Sequence, residues 1–227
     1  MKKIFITRHL DADSVFNKTL RLNGFEVIGQ SLVKFSPVSF GKLPSADWIF
    51  FYSKNAVRFF LAGLNHQTIL GYKTAALGAG TANVLAEAGY TPDFIGNGDP
   101  SAVAESFLQV AEKQRVLFPR ASDSRQSVQR LLGNRVKAED LVVYENIAKQ
   151  EFQIPDCQLL AFTSPLNAKA YFSKYRPKGE VVIAIGEATA DTLRALQISA
   201  EIYIAADPSE NALAELALEL LGNEAQA

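Results

Sequence analysis

Six hydroxyl side chains stand where an apolar run gives way to helical spacing: Ser53, Thr81, Ser101, Ser164, Thr189 and Ser209. A helix start exposes unpaired backbone N–H groups and a partial positive charge, so it can hold a carboxylate or phosphate without a basic side chain. A hydroxyl there adds a hydrogen bond to the anion. Taken singly, each of these residues reads as a cap on its own helix, because caps favour Ser and Thr. Taken as six around one cleft, they suit a large polyanionic ligand. Arg8 and Arg120 follow the first strand of each half of the chain. Their forked guanidinium groups match carboxylates, and the alternative is a solvated surface arginine. Lys54 and Asn55 begin the helix after Ser53, facing either a groove or solvent. Tyr144 ends the strand-like run Leu141–Tyr144. A phenol can give a proton to a departing hydroxyl, and an amphipathic Tyr can equally fill an interface.

Other chemistries lack their residues. Gly78 and Gly80 start a glycine pattern, but a dinucleotide loop needs a third glycine where Asn83 stands. The lysine-bearing phosphate loop of NTPases is missing too. Two histidines and one cysteine argue against a dedicated zinc site, and the incomplete glycine pattern argues against a nicotinamide cofactor. A formal charge of −1 gives no electrostatic footprint for nucleic acid. No apolar run approaches the roughly 20 residues that cross a bilayer. The opening MKKIFITRHL is broken at Arg8 and reads as a strand, not a secretory signal. Cys157 has no disulfide partner in the chain, which suits a reducing, cytoplasmic setting.

The elements that place these residues occur twice. Gly78-x-x-Thr81-Ala82 returns as Gly186-x-x-Thr189-Ala190. Phe51-Tyr52-Ser53 pairs with Phe162-Thr163-Ser164, Pro100-Ser101 with Pro208-Ser209, and Ile6-Thr7-Arg8 with Phe118-Pro119-Arg120. Four pairs in one order at a spacing of about 110 residues indicate an internal duplication. Short apolar runs alternate with helical segments: Lys3–Thr7, Phe25–Phe35, Trp48–Tyr52, Thr74–Leu77, Val116–Phe118, Lys137–Tyr144, Leu159–Thr163, Val181–Ile185 and Ile202–Ile204 read as strands. Helices are expected between them, including Ala82–Ala88, Ser101–Lys113 and Ser124–Leu132. This alternation predicts an α/β protein of βαβ units with parallel sheets, whose ligands meet the carboxyl ends of the strands.

The same residues carry a resemblance over almost the whole chain. FYSKNAV (Phe51–Val57), ALGAGTA (Ala76–Ala82), VLFPR (Val116–Arg120), VVYEN (Val142–Asn146), FTSP (Phe162–Pro165), AIGEATADTLRALQI (Ala184–Ile198) and the Pro208-Ser209 loop resemble the uroporphyrinogen-III synthase family in order and spacing. The resemblance implies two Rossmann- or flavodoxin-like lobes joined by a two-stranded crossover. One lobe would hold 1–34 plus 149–227 and the other 37–147, with crossovers near 33–37 and 144–149. The tandem repeat alone suggests a cut near residue 113, and an exchange of strands between duplicated halves reconciles the two. It also implies hydroxymethylbilane as a small-molecule substrate, neither metal nor cofactor, and a transient hand-off from the preceding pathway enzyme; no heptad seam or interface helix in the sequence argues against a monomer. Ser53, Thr81, Ser164 and Thr189 match positions that line the family's cleft, and Tyr144 matches its candidate for assisting loss of the hydroxyl; with Thr7, Arg8, Lys54, Asn55, Gly78, Gly80, Ser101, Arg120, Pro165, Gly186 and Ser209 they make up the expected substrate site. A sensor that binds a carboxylated tetrapyrrole without turnover is the competing expectation. The sequence departs from the family pattern at His9, Asn167 and Glu187, the last adding a negative charge beside Gly186.

Overall fold

In a computed structural model describing residues 1–223, the elements run β1 (Lys3–Ile6), α1 (Val15–Leu22), β2 (Glu26–Gly29), β3 (Val33–Pro37), β4 (Trp48–Phe51), α2 (Lys54–Ala62), β5 (Lys73–Ala76), α3 (Ala79–Glu87), β6 (Phe94–Ile95), α4 (Pro100–Ala111), β7 (Arg115–Ala121) and α5 (Ser127–Leu132). They continue as β8 (Lys137–Ala148), β9 (Leu159–Phe162), α6 (Pro165–Lys174), β10 (Val181–Ala184), α7 (Glu187–Ala195), β11 (Ile202–Ile204) and α8 (Glu210–Asn223). The chain divides into two compact units, Met1–Lys34 with Ile147–Ala227, and Phe35–Asn146. Both passages between units fall within strands, β3 and β8. These two pair with opposed directions, since Val38 N–H donates to Val143 and Lys149 N–H to Leu32.

The discontinuous unit has a parallel sheet in the order β11-β10-β9-β1-β2, and the continuous one has β3-β8-β7-β4-β5-β6. Setting β4, β5, β6, β7 and β8 against β9, β10, β11, β1 and β2 gives one spatial order for both. The duplication is therefore visible as topology, with the N-terminal strands completing the C-terminal repeat.

The inner strands are covered on both faces, so β1, β4, β9 and β10 are apolar at nearly every position. In the discontinuous unit Ile4, Ile6, Leu159, Ala161 and Ile183 pack on one side with Phe16 and Leu20 of α1 and Leu213 and Ala217 of α8. Phe5, Leu160, Phe162 and Val182 face the other way, against Ala168, Phe172 and Leu193 of α6 and α7. The alternation repeats in the continuous unit. Ile49, Phe51 and Leu117 meet α2 and α3, while Trp48, Phe50, Val116 and Phe118 meet α4 and α5.

The expected single strand Phe25–Phe35 is two strands. Asn167 Oδ1 accepts the Leu32 N–H at 2.7 Å, which takes that group out of any ladder and separates β2 from β3. The expected Ser124 helix start lies at Ser127, because Gln126 is left-handed with φ 53°. No helix among the described residues is long and apolar enough to cross a membrane.

Candidate functional site

In a doubly wound sheet the ligand crevice opens at the carboxyl ends of the strands where the winding reverses. That point lies between β4 and β7 in the continuous unit and between β9 and β1 in the other. Ser53 and Arg120 stand at the first, Ser164 and Thr7 at the second.

In the continuous unit Ser53 caps α2, its Oγ accepting the Ala56 N–H at 3.1 Å. The Tyr144 hydroxyl lies 3.5 Å from the same Oγ. A β-bulge places Tyr144 there. Arg120 is paired with Val142 but Ala121 with Tyr144, so one residue of β8 is extra. As a result the neighbours Val143 and Tyr144 both enter the cluster under α2 and α3. The Tyr144 ring is stacked on Phe59 (centroids 5.0 Å apart, 18°) and meets Phe35 edge-on (5.9 Å, 76°). Tyr52 is a structural phenol: its oxygen accepts the Gln129 N–H at 3.1 Å, and burial holds its ionisation far above the usual range.

The α3 start differs from that of α2. Its cap, Gly78, offers no side-chain bond, and its first turn carries no acid. A Cβ on Gly78 would sit 3.2 Å from the Gly98 backbone. A Cβ on Gly80 would sit 3.1 Å from Lys54 Cε, so the exposed Lys54 lies across this helix start, with Asn55 half-buried beside it. Thr81 is inside the helix and buried. The cap of α4 is Asp99, whose carboxylate accepts from Ala102 N–H at 2.8 Å. Ser101 is exposed one residue inside the helix and is not its cap. The Asp99-Pro100 pair is the sequence signal for this cap, since Pro favours the first helical position.

In the discontinuous unit Ser164 caps α6 and also accepts from Asn167 Nδ2 at 2.9 Å; Pro165 fills the first helical position. Asn167 thus ties this cap to Leu32. Gly186 caps α7 with no side-chain bond and open space around its Cα. Among helices of eight or more described residues, only α3 and α7 lack a side-chain cap, and they start at the duplicated glycines. Glu187 is exposed and paired with Arg194 at 2.7 Å, which balances its charge. Thr189 is buried inside α7, and Ser209 caps α8 through the Ala212 N–H.

Three expected anion ligands are already engaged. Thr7 Oγ1 accepts the Thr163 N–H at 2.9 Å, and Thr163 Oγ1 donates to the Thr7 carbonyl at 2.9 Å, which stitches β1 to β9. Arg8 pairs with Glu210 at 3.1 Å, while the other oxygen of Glu210 accepts from Ser14 and from the Phe16 N–H at the start of α1. Arg120 donates to Asp140 and to the Ala121 and Ser122 carbonyls. Asp140 and Glu210 lie 20 and 202 positions from their partners, and no local pattern marks them.

Two α/β units, each a doubly wound sheet of parallel strands with helices between them, define a two-lobed α/β protein. The chain belongs to the uroporphyrinogen-III synthase HemD family, whose model matches residues 14–215. It is similar in structure to uroporphyrinogen-III synthetase from Helicobacter pylori 26695, with 25% identity, 97% of this chain and 100% of that chain covered, and a TM-score of 0.68. The wild-type uroporphyrinogen III synthase of the extremely thermophilic bacterium Thermus thermophilus also matches, at 16% identity over 99% of this chain and 100% of that one, with a TM-score of 0.45. No curated protein matches by sequence.

Proposed function

We propose that this chain is a cyclising lyase that converts hydroxymethylbilane to uroporphyrinogen III. The family match over residues 14–215 carries the reading. The substrate is a flexible linear tetrapyrrole with eight carboxylates. The uncapped start of α3, with Lys54 over it, suits some of those acid groups, and the equally uncapped start of α7 offers the same chemistry in its own unit.

In this reading Tyr144 gives its phenolic proton to the terminal hydroxyl, which leaves as water. The last pyrrole ring then attacks the methylene carbon left behind through its already substituted α-carbon, giving a spiro intermediate; the bond from that carbon to the third ring's methylene breaks, the methylene bonds the free α-carbon instead, and the macrocycle closes with the ring inverted. The proton lost by that ring on closure restores the phenol. The remainder of catalysis is positional: the protein holds the chain so that inverting attack outruns direct closure. We further propose a cytoplasmic monomer that receives its unstable substrate from the preceding enzyme.

The test is the product isomer. Purified protein given hydroxymethylbilane is expected to yield the type III isomer over the type I isomer that forms spontaneously. Type I product alone ends the proposal, and anion binding without turnover would indicate a tetrapyrrole sensor.

A further inference from the structure

We propose that Phe59 is a positioning residue that aims the Tyr144 hydroxyl at the departing group, an inference that rests on the proton-donor reading of Tyr144. Consecutive residues of α2 do different work. Phe60 is fully buried and packs on Phe40 and Phe51 in the core. Phe59, about 100° further back around the helix, is half-buried at the margin of the same cluster, and its aromatic partners among the described residues are Tyr144 and Phe35.

The geometry explains why one helix controls both ends of the phenol. Side chains of a helix lean toward its N-terminus, so Phe59 leans back toward Ser53. The ring of Tyr144 lies on Phe59 while its hydroxyl reaches Ser53 Oγ. The cap fixes that oxygen, because it already accepts from Ala56 N–H. At 3.5 Å the hydroxyl contact is long, and a bond of that length restrains direction weakly. The near-parallel stack, at 18°, is therefore the stronger restraint on ring orientation, with Phe35 closing the second side. Phe35 is 51% exposed, and its placement in β3 brings it to Tyr144 of the paired β8.

The test is a double-mutant cycle on the full chain with hydroxymethylbilane as substrate. Phe59→Leu is expected to lower kcat about tenfold with KM within about twofold, the size expected from a misaimed group. In the Tyr144→Phe background the same change is expected to cost less than about twofold, because no hydroxyl remains to aim. Phe59→Tyr, which keeps a stacked ring, is expected to restore most of the kcat. Equal losses in both backgrounds, a loss in KM alone, or a Tyr144→Phe variant with full kcat each overturn the proposal. Should Phe59→Leu fail to fold, Phe35→Leu alters the exposed wall and carries the same cycle, with about a threefold loss expected. Failure of the synthase reading is distinguishable, since the unmodified protein would then release type I product alone.

Discussion

Arg120 grips Asp140 by both oxygens: Nη2 lies 3.0 Å from Oδ2, and Nε lies 3.0 Å from Oδ1 as an ion pair without hydrogen-bond alignment. The pair joins β7 to β8 just ahead of the bulge that turns Tyr144 into its place. Arg120→Met leaves Asp140 with Gln126 as a side-chain partner and strips the Ala121 and Ser122 carbonyls of a donor. Because Asp140 is about one-third exposed, the expected cost is about 1–2 kcal/mol. Urea unfolding measures it, and an unchanged midpoint would show that the pair is not holding the strands.

Tyr144→Phe keeps the ring between Phe59 and Phe35 and removes only the hydroxyl. We expect kcat to fall about 100-fold, in the range of a lost general acid. KM and the melting temperature should barely move. Full turnover in this variant takes Tyr144 out of the reaction.

The duplicated glycines should respond differently to the same substitution. Neither has a φ in the left-handed region, so the question is space. A methyl on Gly78 presses on Gly98 backbone at 3.2 Å, whereas Gly186 faces open room. Gly78→Ala is expected to destabilise by about 1–2 kcal/mol, and Gly186→Ala by less than about 0.5 kcal/mol. Thermal melts decide this, and equal losses would refute the contrast.

Burial pushes the Cys157 thiol up to about 11, against an ordinary value near 8.5. The folded chain keeps this proton where the unfolded chain loses it. The contribution to stability is therefore whole below about pH 8.5 and lost as pH climbs toward 11. At pH 8 iodoacetamide should label the native thiol about 100-fold more slowly than the urea-unfolded one. Comparable rates would contradict the burial.

The fold is legible where one residue's own chemistry decides local structure. Apolar runs ending at Ser53, Gly78, Ser164 and Gly186 announce strand, turn and helix within a few residues. Spacing puts the α3 start at Ala82 although the helix begins at Ala79, because helical periodicity shows only after the cap. What tertiary structure alone supplies is not legible. The break at Leu32 depends on Asn167, the anchoring of Arg8 on Glu210, and the aim of Tyr144 on a bulge. Ser101 draws attention from Asp99 because a pattern of hydroxyls passes over a carboxylate. Phe59 reads only as part of an apolar helix face, since spacing cannot tell a ring in the core from a ring that steadies another.

The interleaved order of the two units has a consequence for synthesis on the ribosome. Phe35–Asn146 is contiguous and can close its sheet as soon as it emerges. The first strand has no such freedom. It lies between β2 and β9, so one flank stays open until Leu159–Phe162 has been translated. The earliest-made segment of the protein is thus among the last to be finished, and an unpaired, apolar edge must be kept from other chains throughout that wait.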